Sequence, residues 1–475
     1  MQMTGAEVMV KCLAEQGVTT VFGYPGGAIL PFYDALREAS DIRHILTAHE
    51  QGAAHAADGY ARAGGHVGVC IATSGPGATN LVTGIATAFM DSIPMVAITA
   101  NVPDSLIGRD AFQEICITGV TMPITKHNFF VNRIEDLETA LREAFQIANS
   151  GRKGPVLVDI TKDVTAASIE YTSKPPLPLK EVPKMEREDI AAIVKLINGA
   201  EKPVAYVGGG VVASDACKEL VELLEKADIP VAYTLMAAGV VGYDNELNLG
   251  LVGMHGSVAA NRAMDQADLV IALGARFSDR VALNPEKFAR RAKIVQVDID
   301  KSEINKNVII DKCCVGDVKE FLTRALPYIE EKKHPEWHER VVGWKKKERV
   351  VKSPECRLHP KEIIDTLCDM TDQNTIYVTD VGQHQMWAAQ HIVHTRPENF
   401  ITSSGLGTMG FGLPAAVGAQ VARPNDTVVC ISGDGSFMMN VQELGTVKRK
   451  QLPLKIVLLD NQRLGMVRQW QQLFF

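Results

Sequence analysis

Two polar residues near the end of the sequence, Asp434 and Asn461, each follow an apolar run. The runs at 427–431 and 454–459 are typical of buried strands, and residues 437–450 between them are typical of a helix. A β–α–β unit of this kind is right-handed and its strands are parallel. We therefore expect both side chains at the carboxyl ends of neighbouring strands, where open α/β sheets bind ligands.

Two oxygen ligands at such an edge suit a hard cation such as Mg2+, with diphosphate oxygens and water completing its octahedron. Gly433 and Gly435 allow the backbone to approach phosphate groups, and the start of the following helix offers free N–H groups. The alternative is a glycine-rich turn in which Asp434 only caps the helix. Because Asn461 supplies a second element, the sequence favours a metal–diphosphate site.

Composition and charge exclude several classes of protein. A chain of 475 residues, 46% hydrophobic and 22% charged, is typical of a globular protein with two to four domains. The net charge of −7 gives no reason to expect nucleic acid, and Asp91 and Pro94 interrupt the longest membrane-span candidate. Nine cysteines without a CxxC pair, and a helix start in place of a leader, predict a cytoplasmic enzyme with reduced thiols.

Strand-like and helix-like segments alternate throughout, which predicts α/β domains with doubly wound parallel sheets. The predicted domains are 1–165, 188–335 and 359–475, the last of them incomplete. Residues 170–187, rich in proline and lysine, are typical of an extended linker. The charged stretch from 330 to 347 is typical of a solvated helix and a second linker.

Several separated phrases of the sequence occur together in one known family. They are Phe22–Gly27, His49–Ala54, Thr73–Asn80, Ala111–Glu114, Gly274–Phe277, Gly405–Gly410 and Leu464–Trp470. With the Gly-Asp-Gly motif and its following Asn, the chain resembles the catalytic subunit of acetohydroxyacid synthase (acetolactate synthase), a family of thiamin-diphosphate enzymes. The resemblance covers essentially the whole chain and implies a pyrimidine-binding, a middle FAD-binding and a diphosphate-binding domain.

The resemblance implies a reaction in two parts. Pyruvate is decarboxylated on thiamin diphosphate, and the hydroxyethyl-enamine then adds to a second 2-ketoacid, pyruvate or 2-ketobutyrate. This is the first step of branched-chain amino-acid biosynthesis. Family chains continue for many tens of residues past Phe475, so we expect this chain to be a fragment that folds poorly or is inactive alone. The alternatives are an enzyme like pyruvate oxidase, which uses the same cofactors, and a non-catalytic homologue.

Four residues resemble the catalytic and substrate positions of the family. Glu50 would hydrogen-bond to the pyrimidine ring and promote the imino tautomer, although the residues alone also allow an exposed glutamate at a helix start. Arg280 would bind the carboxylate of the second substrate, unless it is a flavin-phosphate or surface arginine. Trp470 would favour 2-ketobutyrate by roughly 1–3 kcal/mol, unless it is a core anchor. Gln113 resembles a substrate-pocket position.

The resemblance also implies the residues that bind thiamin diphosphate and its metal. Cofactor contacts are expected from Gly26, Pro76, Asn80, Gln383, His384, Gly407, Met409, Gly435 and Ser436, and metal ligands from Asp434, Asn461 and the carbonyl of Arg463. Met409 would wedge the cofactor into its bent form. Its loop also spells GxGxxG, but the polar residues 402–404 lead into it, so a dinucleotide fingerprint is a weak alternative.

The middle domain resembles the flavin-binding domain of the family. FAD contacts are expected from Gly208, Gly209, Thr234, Leu235, Met254, His255, Gly256, Gly274, Arg276, Glu303, Ile304, Asp317 and Val318. The family usually has two aspartates after the phenylalanine, and this chain has Ser278-Asp279, which weakens one contact. The role of FAD would be structural, because the net reaction transfers no electrons.

Partners are implied by the same resemblance. In the family, the catalytic glutamate comes from one subunit and the diphosphate site from its partner, so a homodimer or a dimer of dimers is expected. A regulatory small subunit is expected as well. Neither nucleic acid nor a membrane is expected as a partner.

Overall fold

Three sheets built on parallel strands, each accompanied by helices, form the chain, and the computed structural model describes residues 1–347 and 358–475. Two compact units result. The first unit comprises Met1–Lys180, Asn374–Gln385 and Ile401–Phe475, and the second comprises Glu181–Gln373 and Met386–Phe400. The predicted class, α/β with three doubly wound parallel-sheet domains, is confirmed.

The first sheet lies in the first unit. Its elements are β1 (Gln2–Thr4), α1 (Gly5–Glu15), β2 (Thr20–Gly23), α2 (Leu30–Glu38), β3 (Arg43–Leu46), α3 (Glu50–Gly64), β4 (Gly68–Ala72), α4 (Pro76–Asn80), α5 (Val82–Asp91), β5 (Met95–Asn101), α6 (Ile117–Thr121), β6 (His127–Val131), α7 (Ile134–Asn149), β7 (Pro155–Thr161), α8 (Lys162–Ala166) and β8 (Ser168–Glu170). Six of these strands form the sheet, in the order β3-β2-β4-β5-β7-β6, and all of their pairings are parallel. The chain direction across the sheet reverses between β2 and β4, which is where such sheets bind ligands.

Burial and capping explain these elements. Strands β4, β5 and β7 are buried along their whole length, as expected for near-continuous apolar runs covered on both faces. The helix start expected at the beginning of the sequence is present, because Thr4 and Glu7 form a capping box on α1. The short strands β1 and β8 pair with each other antiparallel.

The second unit contains the second sheet. Its elements are α9 (Arg187–Gly199), β9 (Pro203–Val207), α10 (Gly209–Ala213), α11 (Cys217–Lys226), β10 (Val231–Tyr233), β11 (Asn248–Leu251), α12 (Val258–Gln266), β12 (Leu269–Leu273), β13 (Lys293–Asp298), β14 (Lys312–Val315), α13 (Val318–Ala325) and α14 (Pro335–Lys347). The strand order is β11-β10-β9-β12-β13-β14, all parallel. This is the 3-2-1-4-5-6 order of dinucleotide-binding sheets.

The solvated helix predicted at residues 330–347 is wrong in one respect. Helix α14 buries Trp337 and Val341 in the core of the second unit, and the Trp337 indole Nε1 donates to the carbonyl of Pro203 at 3.0 Å. The charged residues hid the two apolar side chains that attach the helix to its own unit. Residues 348–357, including Cys356 from the predicted set of reduced thiols, lie outside the described residues.

The third sheet completes the fold. Its elements are α15 (Pro360–Asp369), β15 (Ile376–Thr379), α16 (Gln383–His391), β16 (Phe400–Ile401), α17 (Gly412–Ala422), β17 (Val428–Gly433), α18 (Asp434–Met439), α19 (Leu444–Lys450), β18 (Lys455–Leu459) and α20 (Gly465–Phe474), in strand order β16-β15-β17-β18. The single helix predicted at 437–450 is wrong. Asn440 has a φ of −135°, and its amide donates to the carbonyl of Gly410, so the segment divides into α18, a 3-10 turn and α19.

Helices α3 and α17 pack against each other within the first unit with their backbones in contact. A side chain on Gly418 would overlap the carbonyl oxygen of Ala56, and one on Gly59 would overlap that of Ala415. Small residues therefore permit this approach. In the described ranges 1–347 and 358–475, each helix is too short or too polar to span a bilayer.

Candidate functional site

Glu50 lies at the reversal point of the first sheet and is paired with another predicted residue. It is the first residue of α3, whose start is capped by the His49 side chain accepting the Gln51 N–H at 3.0 Å. The Asn80 amide Nδ2 donates to Glu50 Oε2 at 3.0 Å. A Cβ on Gly77 would lie 3.3 Å from Oε1, so the second carboxylate oxygen faces the glycine-rich start of α4. The structure thus brings together two residues that the sequence predicted separately.

Other predicted residues line the same crevice. Gly26, after β2, approaches Thr73, after β4, so closely that a Cβ would lie 2.5 Å from the threonine methyl. Gln113 has a φ of 61° and packs against Gly75, next to Pro76. The two loops of the reversal point and the Gln113 loop therefore meet around Glu50.

Tyr33 belongs to this crevice, although its sequence context does not predict a functional role. Its buried hydroxyl has no hydrogen-bond partner among the described residues, and a Cβ on Gly23 would lie 2.5 Å from it. Burial raises the pKa of Tyr33, and the negative charge of Glu50 raises it further. A tyrosine one helical turn into α2 gives no sequence signal that separates it from a core residue.

Asp434 and Asn461 follow neighbouring parallel strands, as the sequence predicted. In the register of β17 and β18, Gly433 is paired with Leu459. Asp434 is the first residue of α18 and Gly433 is its cap, with no side-chain cap bond, so the alternative of an Asp cap is not what the structure has. Asn461 Oδ1 accepts the Arg463 N–H at 3.0 Å, which leaves one lone pair of that oxygen for a further partner.

Several residues predicted to contact the cofactor gather around this edge. A Cβ on Gly465 would contact both the Gln383 amide and Asn461, and one on Gly433 would lie 2.8 Å from His384 Nδ1. The Ser436 hydroxyl donates to the carbonyl of Val381 at 2.8 Å. Gly435 and Gly407 complete the group, since a Cβ on Gly435 would lie 3.9 Å from the Met409 methyl and one on Gly407 the same distance from Val381.

Of the predicted residues, His384 is the one best suited to bind a ligand. Its side chain is buried, and its Nε2 has no hydrogen-bond partner among the described residues. Burial lowers the pKa of His384 to about 4, against a smaller upward effect of the Asp380 backbone. A buried polar atom without a partner costs free energy unless a ligand supplies one. An anionic diphosphate oxygen fits this position.

Buried carboxylates that the sequence analysis missed hold the loop of Met409. Asp380 accepts the N–H groups of Val381, Gly410 and Gly412 at 2.8 to 2.9 Å. Burial raises the pKa of Asp380 to about 6, while those donors lower it. An acidic residue directly after an apolar strand was the available signal, and it resembles the one that selected Asp434.

A second anchor of this loop comes from α5 and α3. Asp91 accepts the N–H groups of Ser404 and Gly405 at 3.0 and 2.7 Å and pairs with Arg62 at 2.9 Å. Arg62 also pairs with Asp58 at 2.6 Å and donates to the carbonyl of Thr402 at 2.9 Å. The loop is therefore fixed by charged side chains from α5 and α3, which are distant from it in the sequence.

The chemistry of the donor set limits what can bind at the Asp434 edge. In the described part of the chain, His, Cys, Asp and Glu side chains form no group of three or more that could hold a metal ion by themselves. Asp434, Asn461 and a backbone carbonyl supply only part of a Mg2+ octahedron. Such a set fits an ion that takes its remaining ligands from diphosphate and water.

In the second unit, the residues predicted to bind flavin follow the carboxyl ends of its six strands. Gly208 and Gly209 follow β9, Thr234 and Leu235 follow β10, Met254, His255 and Gly256 follow β11, Gly274 and Arg276 follow β12, Glu303 and Ile304 follow β13, and Asp317 and Val318 follow β14. The strand order reverses between β9 and β12, and a side chain on Gly208 would overlap the carbonyl oxygen of Gly274. One edge of one sheet therefore carries the whole predicted set, as a dinucleotide site requires.

Local contacts define some of these residues further. The Glu303 carboxylate is buried and pairs with Lys306 at 2.9 Å. Asp317 caps α13 by accepting the N–H groups of Lys319 and Glu320. The carbonyl of Arg276 accepts the Tyr206 hydroxyl at 2.7 Å.

The two predicted substrate residues Arg280 and Trp470 are solvent-exposed. In the second unit, the Arg280 side chain is 64% exposed, and its carbonyl accepts the Met254 N–H at 2.8 Å. In the first unit, Trp470 is 40% exposed and lies 4.8 Å from the Phe474 ring.

Comparison with known proteins agrees with this arrangement. The chain matches three family models of thiamine pyrophosphate enzymes: the N-terminal TPP binding domain over residues 3–122, the central domain over 190–325 and the C-terminal TPP binding domain over 380–475. It is 54% identical to the acetolactate synthase isozyme 2 large subunit of Escherichia coli (strain K12), over 100% of this chain and 86% of that protein. The acetolactate synthase large subunit of Pyropia yezoensis is 46% identical (100% and 82%), and the acetolactate synthase of Mycobacterium bovis is 48% identical (100% and 78%).

Proposed function

The chain belongs to the acetolactate synthase large-subunit family of thiamin-diphosphate enzymes, and we propose that Glu50 and the Asp434–Asn461 edge carry its reaction. The reaction joins two 2-ketoacids with loss of CO2 and opens branched-chain amino-acid biosynthesis. The observation that carries the proposal is the pairing of Glu50 with Asn80 at the reversal point of the first sheet.

The cofactor would be held at the Asp434–Asn461 edge and in the crevice around Glu50. Asp434, Asn461 and the Arg463 carbonyl would bind Mg2+, with His384 and Gln383 at the diphosphate oxygens. The buried, unpartnered Nε2 of His384 supports that assignment. When bound, thiamin diphosphate supplies the carbon nucleophile and the electron sink that decarboxylation of a 2-ketoacid needs.

Glu50 would hold the proton that activates the cofactor. Asn80 donates to Oε2, which leaves Oε1 to share a proton with the pyrimidine ring nitrogen. A positioned carboxyl group that exchanges a proton in this way contributes about 10²–10⁴-fold to a rate. Asn80 fixes the rotamer of the carboxylate, so that the proton is exchanged at one atom and in one direction.

Met409 would support the bent conformation of the cofactor. Its loop is fixed by Asp380 and Asp91, both of which bind backbone N–H groups rather than leave them to water. A rigid loop costs no reorganisation when the cofactor enters, which is the benefit of preorganisation.

The carboxyl edge of the second sheet would bind FAD. The reversal of strand order between β9 and β12 and the close approach of Gly208 to Gly274 support a dinucleotide there. The flavin would have a structural role, because the joining of two ketoacids transfers no net electrons. Ser278, where the family usually has aspartate, would weaken one contact.

Substrate selection would depend on exposed residues. Arg280 offers a bidentate guanidinium for the carboxylate of the second ketoacid, and its side chain is 64% exposed. Trp470 would contact the extra methyl group of 2-ketobutyrate, and Gln113 would lie in the pyruvate pocket.

The assembly would contain more than this chain. Two relatives of the chain are named large subunits, which supports a small-subunit partner for this chain, with a regulatory role. A homodimer would be the minimum active unit, with Glu50 of one subunit serving the diphosphate edge of the other, and two dimers could associate further. The cytoplasm is the proposed compartment.

Product analysis tests the function. Pyruvate is supplied with thiamin diphosphate, Mg2+ and FAD, and 2-acetolactate, acetate and acetyl phosphate are measured. The assay compares this chain with a version extended past Phe475 by the corresponding part of the Escherichia coli relative; the sequence-based expectation is acetolactate from the extended version. Acetate or acetyl phosphate formed with flavin reduction would instead favour an enzyme like pyruvate oxidase. Cofactor binding without any product from the extended version would favour a non-catalytic homologue.

A further inference from the structure

The Glu443 carboxylate binds the backbone immediately before Glu50. The Ala48 N–H lies 3.0 Å from Glu443 Oε1 and 3.2 Å from Oε2, and the His49 N–H lies 3.1 Å from Oε1. We infer that Glu443 is a positioning residue, which fixes the start of α3 and thereby aims the Glu50 carboxyl group at the cofactor. The inference rests on the role proposed above for Glu50.

The surroundings of Glu443 are built to hold a carboxylate. Its side chain is 1% exposed, and the Thr446 hydroxyl donates to Oε2 at 2.7 Å. A side chain on Gly52 would overlap Glu443 Oε1, so glycine at that position makes the approach to α3 possible. Burial raises the pKa of Glu443 and the hydrogen-bond donors lower it, with a net rise. A buried carboxylate is stable only when such donors are present.

The contacts made by Glu443 reach the residue that determines how α3 begins. His49 is the cap of α3 with extended backbone angles of φ −152° and ψ 147°, and its imidazole accepts the Gln51 N–H. Glu443 binds the backbone N–H of the same residue. The direction of the first helical turn, and hence of Glu50, is therefore set from both sides of His49.

Neighbouring contacts between the same segments offer a control. The Lys450 ammonium donates to the carbonyl of His44 at 2.9 Å, and the Arg449 guanidinium donates to that of Leu46 at 2.7 Å. These bonds also join α19 to the segment around β3, but they end before Ala48. Lys450→Met therefore weakens the same packing and leaves the start of α3 bound.

The first experiment measures backbone amide exchange in the cofactor-free chain. Glu443→Gln replaces an anionic acceptor with a neutral amide, one end of which is a donor facing two other donors. Because hydrogen bonds to a charged group are strong, we expect exchange at Ala48 and His49 to become about 10- to 100-fold faster. Lys450→Met should leave these two rates as in the wild type. Unchanged rates at both amides in Glu443→Gln would overturn the inference.

The second experiment measures exchange of the thiazolium C2 proton with solvent deuterium, per bound cofactor, in the extended version. Glu443→Gln should slow this exchange by about 10-fold or more, since small errors in placement are costly for catalysis. If Glu443 acts through Glu50, the double variant with Glu50→Gln should be no slower than Glu50→Gln alone. Additive slowing, or slowing by Lys450→Met to the same extent, would overturn the positioning role.

The two experiments separate the inference from the proposed function. If Glu50→Gln does not slow C2 exchange, the proposed role of Glu50 fails, while amide exchange still reports whether Glu443 holds α3. Should Glu443→Gln not fold, Thr446→Val removes one donor to the carboxylate and keeps its charge. That variant should change both rates in the same direction by a smaller factor, and no change in either would contradict the inference.

Discussion

Arg62→Met removes the cation from a buried cluster with two carboxylates. The Arg62 side chain is 8% exposed, and the side chains of Asp58 and Asp91 are fully buried. The variant keeps the apolar stem of the side chain and leaves two carboxylates without their cation. Breaking a buried ion pair in this way costs about 3–5 kcal/mol. With a shift of about 2–4 °C per kcal/mol, the melting temperature of the first unit should fall by about 6–20 °C.

The pH dependence of this effect has a definite sign. Burial raises the pKa of Asp58 above its usual value, and Arg62 opposes that rise. Without Arg62, the folded pKa lies still further above the unfolded one, so the folded variant binds a proton more tightly than the unfolded chain does. The loss of stability should therefore be largest near pH 8 and should shrink as the pH falls towards about 5.

The measurement is thermal unfolding of Arg62→Met beside a matched control, Arg37→Met. The Arg37 side chain is 74% exposed and pairs with exposed Asp34 and Glu38, and such surface pairs are worth about 0–1 kcal/mol. Amide exchange at Ser404 and Gly405 gives a local readout, since both donate to Asp91. A fall in melting temperature no larger than that of the control, or one that grows at low pH, would refute this account of the cluster.

Three further predictions follow from individual contacts. Gly418→Ala should destabilise the chain by about 1–3 kcal/mol in urea unfolding, because the added Cβ would overlap the Ala56 carbonyl. The control Gly343→Ala has open space around the added Cβ and should stabilise the chain by about 0.5–1 kcal/mol. Stability changes of the same sign in both variants would contradict the packing of α3 against α17. Asp434→Ala and Asn461→Ala should each weaken Mg2+-dependent binding of thiamin diphosphate by at least about tenfold in calorimetry. The control Asp460→Asn should leave the affinity unchanged, because it keeps an acceptor for the Gln462 N–H. Equal affinities in all three variants would contradict the metal site. The pKa of His384, lowered to about 4 by burial, should rise when diphosphate binds, as followed by NMR of the imidazole, and an unchanged value would place the anion elsewhere.

The sequence predicted the strands well because each is a short apolar run with a sharp end. The predicted strands at 427–431 and 454–459 overlap β17 (Val428–Gly433) and β18 (Lys455–Leu459). Runs of this kind are buried on both faces of a parallel sheet, so their apolar composition alone identifies them as strands. The residues after them were then placed by topology, which is why Asp434 and Asn461 follow adjacent strands as predicted.

The errors occur where a distant contact outweighs a local pattern. The helix at 437–450 is interrupted because the Asn440 side chain binds the carbonyl of Gly410, far away in the sequence. The buried face of α14 consists of Trp337 and Val341, and the many charged residues of the helix obscured this face in the sequence. The local periodicity of a sequence does not show which group a side-chain amide will bond. It also does not show whether a few apolar residues on a charged helix will be buried.

The supporting residues of the site were not predictable for the same reason. Glu443 lies in the chain 395 residues from Ala48, and Arg62 lies 340 residues from Thr402. A buried acid or base at such a position has the same local sequence context as a solvated one. Only the fold reveals that these charges are paired and hold the loops around the predicted cofactor residues.

One comparison of rates tests whether Glu50 activates the cofactor in an acetolactate-forming reaction. Acetolactate formation from pyruvate is measured for the extended version with thiamin diphosphate, Mg2+ and FAD, in the wild type, Glu50→Gln and the exposed control Glu38→Gln. We predict a rate at least about 100-fold lower for Glu50→Gln at equal cofactor occupancy, and an unchanged rate for the control. A Glu50→Gln rate within about threefold of the wild type would contradict it.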